Sequence, residues 1–343
     1  MKAGFGQSRF IKFGNHLHTG ELSFDFIAKR KIWFTIGILM MIASIIVPIA
    51  KGGFNFGIEF RGGSQFQIAN VVNPEQQPAI TAIDEVVPKA VPRVTIVGDT
   101  GVRVQTDKLS DDQTKRVRAA LADLYQVSES EVSTSFIGPT WGADVSRQAI
   151  QGLIAFLLFA TITMALYFRT WKMSLAAILA LVHDLVITAG IYALTGFEVT
   201  PAALIGFLTI LAYSLYDTVV VFDKIKENTH EDQGGSRRTF AQSVNLAVNQ
   251  TLVRSINTGV VAALPVGTIL FVGAYVLGAD TLRDISLALL IGILIGTYST
   301  IYIASPLYAL LRQGEPAIRK HDAISLAAQA SGKTADRVAS VTS

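Results

Sequence analysis

Long apolar stretches alternate along this chain with short charged segments, and six of them stand out: residues 32–50, 149–168, 173–194, 201–222, 256–277 and 285–310. A helix of about 20 apolar residues crosses a hydrocarbon layer roughly 30 Å thick, so each stretch predicts a transmembrane helix. The first follows Lys29, Arg30 and Lys31, the basic flank of a signal peptide. Its apolar run exceeds the roughly 7–15 residues of a signal core and leads into Val47, Pro48 and Ile49 rather than a small-residue cleavage site. It is read as a retained span.

Residues 51–147 break the apolar rhythm and are long enough to fold alone. Residues 54–70 read as extended chain interrupted by Gly62 and Gly63, and residues 74–87 as a helix. Residues 93–97 and 102–106 alternate as strands around Asp99, Thr100 and Gly101, a hairpin signal. Ser110 is a helix cap followed by Asp111 and Asp112, with Val117, Leu121 and Leu124 at helical spacing. Residues 132–137 close the series as a strand. This order, strand, helix, strand, strand, helix, strand, predicts a ferredoxin-like α+β domain between the first two spans. After the fourth span, Gly234, Gly235 and Ser236 mark a break. Phe240, Val244, Ala247 and Val248 then share one helical face, which predicts an amphipathic segment at the membrane surface over about 223–254. Residues 311–343, rich in Ala, Ser and charges, read as a disordered tail.

Composition supports a membrane solvent: half of the residues are hydrophobic and 16% are charged, against roughly a quarter charged in soluble proteins. A net charge of +3 gives no footprint for nucleic acid. With no cysteine, disulfides, thiolate metal sites and cysteine nucleophiles are excluded. The position of the charges matters more than their sum. With the amino terminus inside, residues 1–31, 169–172, 223–255 and 311–343 hold 6, 2, 5 and 5 Lys and Arg, whereas loops 195–200 and 278–284 hold only Arg283. That asymmetry predicts both termini in the cytoplasm and the 51–147 domain on the far side of the cytoplasmic (inner) membrane. The expected organisation is a cytoplasmic segment 1–31, a first span 32–50, the domain 51–147, a five-span region 148–310 and the tail.

Charges within spans are costly, about 2.5–3.5 kcal/mol each near the bilayer centre on insertion scales, so the few present are candidates for chemistry. Asp184 lies near mid-bilayer in the third span. Asp217 lies five residues before the end of the fourth, roughly 7–8 Å deep at 1.5 Å per residue. Arg254 opens the fifth span from the same side, so Asp217 and Arg254 can meet at one depth. A buried carboxylate beside a cation can switch between charged and neutral forms, as a proton relay requires; a static pair that fixes helix packing is the alternative. His183 projects about 100° away from Asp184 around the helix and reads as a packing residue. Most of the hydroxyls of Thr188, Thr195, Thr209, Ser214 and Thr218 read as interhelical glue, and Pro265 as a mid-span kink. Gly332, Lys333 and Thr334 resemble the end of a phosphate loop, but Ala327 stands where its first glycine belongs. No cofactor or metal cluster is expected.

Residues 212–228 read AYSLYDTVVVFDKIKEN, residues 56–63 FGIEFRGG and residues 249–255 NQTLVRS, with His183-Asp184 in the third span. This set closely resembles the SecF family of protein translocase subunits, related to proton-driven exporters of the resistance-nodulation-division type. The resemblance implies one half of a twelve-helix bundle that uses the proton motive force to help draw secreted polypeptides out of the translocon. It also implies Asp217 as the proton-relay aspartate and Arg254 as its partner. Implied partners are a SecD-like subunit, a SecYEG-type channel, YajC- and YidC-type proteins and unfolded secretory polypeptides. Ala212 and Tyr216 depart from the glycine and asparagine common in the family, and Tyr216 adds a phenol next to Asp217. Glu59 stands for a common aspartate, and Lys224 and Lys226 for arginines.

Three other readings compete. A stand-alone proton-driven exporter usually carries both halves in one chain. An intramembrane aspartyl protease would pair Asp184 with Asp217, but Asp184 follows Leu181, Val182 and His183 instead of Gly-x-Gly. A proton-inert scaffold would use the charges for packing alone. The expected protein is therefore not an enzyme.

Overall fold

In the computed structural model of the 343-residue chain, residues 16–17, 19, 22–88, 90, 92–233, 238–273 and 280–331 are described. Among them, six helices are long and apolar enough to cross a membrane: Arg30–Ala50, Thr140–Phe168, Trp171–Thr195, Pro201–Thr229, Phe240–Phe271 and Thr281–Arg312. They are not equivalent. Over their most apolar stretches, spans three, four and six have 56%, 44% and 50% of residues buried, against 11%, 11% and 17% for spans one, two and five. Spans three, four and six thus form the centre, and the others present apolar faces outward.

Small residues let the central helices approach, as expected where lipid removes the hydrophobic drive between spans. Gly292 and Gly296, one turn apart, face Ile210 and Ser214 of the fourth span, and a Cβ at Gly292 would collide with Ile210. Gly190 similarly admits Ser44 of the first span.

Between spans one (α1, Arg30–Ala50) and two (α5, Pro139–Phe168) lie α2 (Ile58–Arg61), β1 (Gly63–Ile68), α3 (Gln76–Val86), β2 (Arg93–Val97), β3 (Gly101–Thr106), α4 (Asp111–Tyr125) and β4 (Val132–Ile137). The strands form one antiparallel sheet in the order β2-β3-β1-β4. Alternation sends Phe66, Ile68, Val102, Val104 and Val132 into a core with Ala79 and Ile83 of α3 and Val117 and Leu121 of α4. Ser110 caps α4 through a reciprocal capping box with Gln113, which satisfies two of the helix's free amides. The expected extended run over 54–70 is corrected at its centre. Ile58–Arg61 is a helical turn, and Gly62 and Gly63 have φ of 75° and 138°, which sidechain-bearing residues rarely adopt. The strand begins only at Gly63.

Two further expectations are overturned on the side opposite this domain. Span four (α7, Pro201–Gln233) is 33 residues long and span five (α8, Phe240–Phe271) 32, close to 50 Å each at 1.5 Å per residue and longer than a bilayer core. Phe240, Val244, Ala247 and Val248 are buried inside the protein rather than forming an exposed amphipathic face. They pack against Phe222, Ile225 and Tyr308 in a buried cluster at the ends of the long helices away from the domain. The tail is not wholly disordered either, since Pro316–Ala330 forms α11. Asp322 accepts from the Phe240 amide at 2.7 Å, capping α8, and Lys172 and Arg312 hold Glu315 at 3.0 and 2.9 Å. The sixth span comprises α9 (Asp280–Ser299), a π-helical turn Thr300–Ala304 and α10 (Ser305–Arg312). Gly234, Gly235, Ser236, Gly332, Lys333 and Thr334 lie outside the described residues.

Candidate functional site

Asp184 lies on α6 (Trp171–Thr195), 1% exposed, and ties together the three central spans. Its Oδ2 accepts from Ser214 of span four at 2.6 Å and from Ser299 of span six at 2.8 Å. Its Oδ1 lies 3.1 Å from His183 Nδ1. Despite the backbone separation, the imidazole of His183 folds back onto its neighbour's carboxylate as a hydrogen-bonded packing residue, stacked against Tyr298 with centroids 6.3 Å apart. His183 Nε2 is buried without a hydrogen-bond partner, beside Gly37 of the first span.

Asp217 is 5% exposed between spans four and five. Ser255 donates to its Oδ1 at 2.9 Å, while Oδ2 is buried without a partner. One residue earlier, Arg254 is exposed and forms no ion pair with Asp217 in this conformation. The helical twist explains it: adjacent residues point about 100° apart, so with Ser255 turned inward Arg254 faces out of the bundle. Tyr216 is likewise 57% exposed and aims away from the carboxylate it precedes. Thr218 meets Thr300 of the π-turn at 3.0 Å. Ser305 donates to the Thr300 carbonyl at 3.0 Å, across the widened turn; such turns occur often at functional sites.

Of the five hydroxyls, most of which read as interhelical glue, only Ser214 and Thr218 bridge helices. Thr188, Thr195 and Thr209 each return to the carbonyl four residues back, at 2.7 Å in all three. Pro265 lies inside α8, which continues to Phe271. The two aspartates draw on separate donors, from spans four and six for Asp184 and from span five for Asp217. This is not the shared-proton pair of an aspartyl protease.

The quoted sequence stretches converge in space. Asn228 donates to Gln250 at 2.9 Å, a second polar contact between spans four and five beside the Asp217–Ser255 bond. Asn249 accepts from the Phe24 amide at 2.8 Å and donates to its carbonyl at 3.0 Å. Asn245 adds bonds to the amides of Phe26 and Ile27. This clamp on the segment before span one was missed, because an asparagine on a helix carries no sign of what its amide will meet. The 56–63 stretch follows span one and pairs with the loop joining spans three and four. Val199 N donates to Asn55 O at 2.7 Å and Gly57 N to Val199 O at 3.1 Å. Next to that ladder lies a charged contact that was also missed. Arg103, on the sheet face away from the domain core, reaches Glu198 at 3.3 Å, with side chains 5% and 11% exposed. Gln105 donates to the same oxygen at 3.0 Å. A lone arginine in the V-R-V-Q alternation of β3 was its only trace in the sequence.

Six spans knitted around buried carboxylates, with a folded domain clamped to one side, define a polytopic membrane protein of the transport class. Residues 116–314 match the family described as protein export membrane protein SecD/SecF, C-terminal, and residues 49–69 match the SecD/SecF GG motif. The chain belongs to the SecF family of protein translocase subunits. It is 44% identical to the Streptomyces coelicolor protein translocase subunit SecF over 95% of this chain and 86% of that one. To the Mycobacterium tuberculosis subunit it is 39% identical, over 94% and 76%. Among solved structures, it resembles SecDF from Thermus thermophilus with a TM-score of 0.74 at 30% identity. The match covers 85% of this chain but 39% of the SecDF chain.

Proposed function

We propose that this chain is the SecF half of a translocon accessory complex that uses the proton motive force to drive late-stage export of unfolded secretory polypeptides across the cytoplasmic membrane. The observation that carries the reading is Asp217: a carboxylate at membrane depth, donated to by one hydroxyl, with a second oxygen buried and unpartnered. A fixed structural carboxylate has both oxygens partnered, as Asp184 does. Asp217 instead keeps room for a proton, and intramembrane ionisable groups mark proton paths. Arg254 faces outward on the sparsely buried fifth span, which a second six-span half would cover. In a rearranged state a modest helix rotation would bring the guanidinium to the ionised Asp217. Asp184 anchors the central helices around it.

The same surface supports a place for the chain in a larger complex. A SecD-like subunit supplies the missing half, and a SecYEG-type channel, with YajC- and YidC-type proteins, the export route. The Lys and Arg asymmetry supports cytoplasmic termini, with the sheet domain receiving the polypeptide outside. The deciding experiment is proton-dependent export by inverted membrane vesicles bearing Asp217→Asn, which mimics the protonated form at equal size. Normal abundance with loss of proton-dependent stimulation is expected. Full stimulation by a stably inserted variant would refute the relay, and low abundance with normal activity per molecule would favour the inert scaffold.

A further inference from the structure

Three consecutive loop residues, Glu198, Val199 and Thr200, each join a different part of the molecule. Glu198 accepts from Arg103 and Gln105 of β3 at 3.3 and 3.0 Å. Val199 forms the two-bond ladder with Asn55 and Gly57, just after span one. Thr200 Oγ1 accepts from the Ala203 amide at 3.1 Å, capping span four, and donates to Asp284 Oδ2 at the start of span six at 3.0 Å. Tyr192 of span three completes the junction by donating to the Asp284 carbonyl at 2.8 Å. The helices joined here are the two whose far portions carry Asp217 and the Ser299–Thr300 pair. A shift in either must move Thr200, and Glu198 lies two residues away.

From this junction we infer that Glu198 is a positioning residue for transport: through its buried pair with Arg103 it passes rearrangement of spans four and six to the folded domain. The inference rests on the proton-relay reading of Asp217. The choice of contact follows from burial and chemistry. The backbone ladder at Val199 binds the segment after span one, whereas the side chains of Arg103 and Gln105 belong to the sheet itself. An ion pair withdrawn from water holds its geometry more tightly than an exposed one, since a displaced partner would leave a buried charge uncompensated. Burial lowers the pKa of Arg103, the Arg283 charge adds to the fall, and Glu198 is the largest influence in the opposite direction.

The chain has no cysteine, so two spin labels can be placed without background, at Val72→Cys on the domain, where the side chain is 95% exposed, and at Leu194→Cys at the end of span three. The chain would be reconstituted in vesicles with its SecD-like partner. Distance distributions between the labels, proton flux from an entrapped pH dye, and export are then read together. In the otherwise native chain, Asp217→Asn should shift the distance distribution. In Glu198→Gln or Arg103→Gln that shift should vanish and export should fall about tenfold, while Asp217-dependent proton flux stays within about twofold of native. The exchanged pair Arg103→Glu with Glu198→Arg should recover part of both. A purely structural role would lower abundance and flux together without uncoupling them. Native export in a folded Glu198→Gln chain, or a retained distance shift, would overturn the joint alone. Absence of Asp217-dependent flux in the native chain would overturn the relay reading and the joint with it.

Discussion

Truncating Asp184 to alanine removes the acceptor that Ser214, Ser299 and His183 share at 2.6, 2.8 and 3.1 Å. Two magnitudes compete. Hydrogen bonds to charged groups contribute about 1.5–3 kcal/mol each in soluble proteins, whereas side-chain bonds between membrane helices average about 0.6 kcal/mol, because freed groups find other partners. The structure decides donor by donor. Ser299 already shares its hydroxyl with Gly296 O at 3.2 Å, and Ser214 can turn to the carbonyl one turn back, so about 0.6 kcal/mol applies to each. His183 has no such escape, since its Nε2 is already unpartnered, and a second stranded ring nitrogen costs about 2 kcal/mol. The sum for Asp184→Ala is about 3 kcal/mol. Asp184→Asn keeps an oxygen for both serines and loses the charge, for about 1 kcal/mol. Unfolding in mixed micelles, followed by fluorescence of Trp33, Trp141 and Trp171, should rank native above Asn above Ala by these amounts. Asp184→Asn should also impair export less than Asp217→Asn. An alanine variant within about 0.5 kcal/mol of native, far below the polar-network cost expected here, would refute the anchoring role.

Other substitutions test separate parts of the molecule. Arg254→Ala should insert and accumulate normally, because Arg254 is exposed, yet lose proton-dependent export; unchanged export would remove it from the relay. Tyr216→Asn should leave export near native, since the phenol points away from Asp217; a large change would show that the outward face acts on the carboxylate. Gly292→Leu should destabilise the bundle by about 1–3 kcal/mol through overpacking against Ile210, with loss of folded protein on size-exclusion as the measure. Burial raises the Glu59 carboxyl above its ordinary 4.5, with Glu198 and Asp284 adding to the rise and Arg103 opposing it. Domain docking should therefore be strongest below 4.5 and weaken as pH climbs through the raised value. Hydrogen exchange at the Gly57 and Val199 amides should report that slope, and Glu59→Gln should flatten it.

The spans and strands β2 to β4 were legible because each rests on a pattern that sequence displays directly: continuous apolarity for the spans, short strand-like runs beside turn signals for the strands. Counting residues at 1.5 Å each gives spacing along a helix but not where the helix ends: span four runs on to Gln233, so Asp217 lies near its middle rather than five residues from its end. What counting cannot supply is azimuth across a helix pair. It placed Arg254 and Asp217 at one depth and left open which of Arg254 and Ser255 turns inward. Side-chain flexibility hid the His183–Asp184 contact, because ring rotation overcomes a backbone separation of about 100°. Phe240, Val244, Ala247 and Val248 were recognised as one face, but a stripe that buries itself against Tyr308 is written the same way as one that lies on lipid. The Arg103–Glu198 pair spans 95 residues of sequence, and no local pattern encodes such a meeting.

The widened turn at Thr300–Ala304 has a consequence for chain length in the sixth span. A π-turn carries one residue more than the α-helical turn it replaces, so the helix behaves as though a single residue had been inserted between two segments that each keep their own facing. Deleting Ile301 should convert the turn to regular α-helix while Ser299 still reaches Asp184 and Tyr308 still packs on Phe222. The same deletion a few turns earlier, at Leu290, would rotate every later residue by about 100° and disconnect Ser299 from the aspartate. Tolerance to single-residue deletions along this span should therefore be confined to five positions.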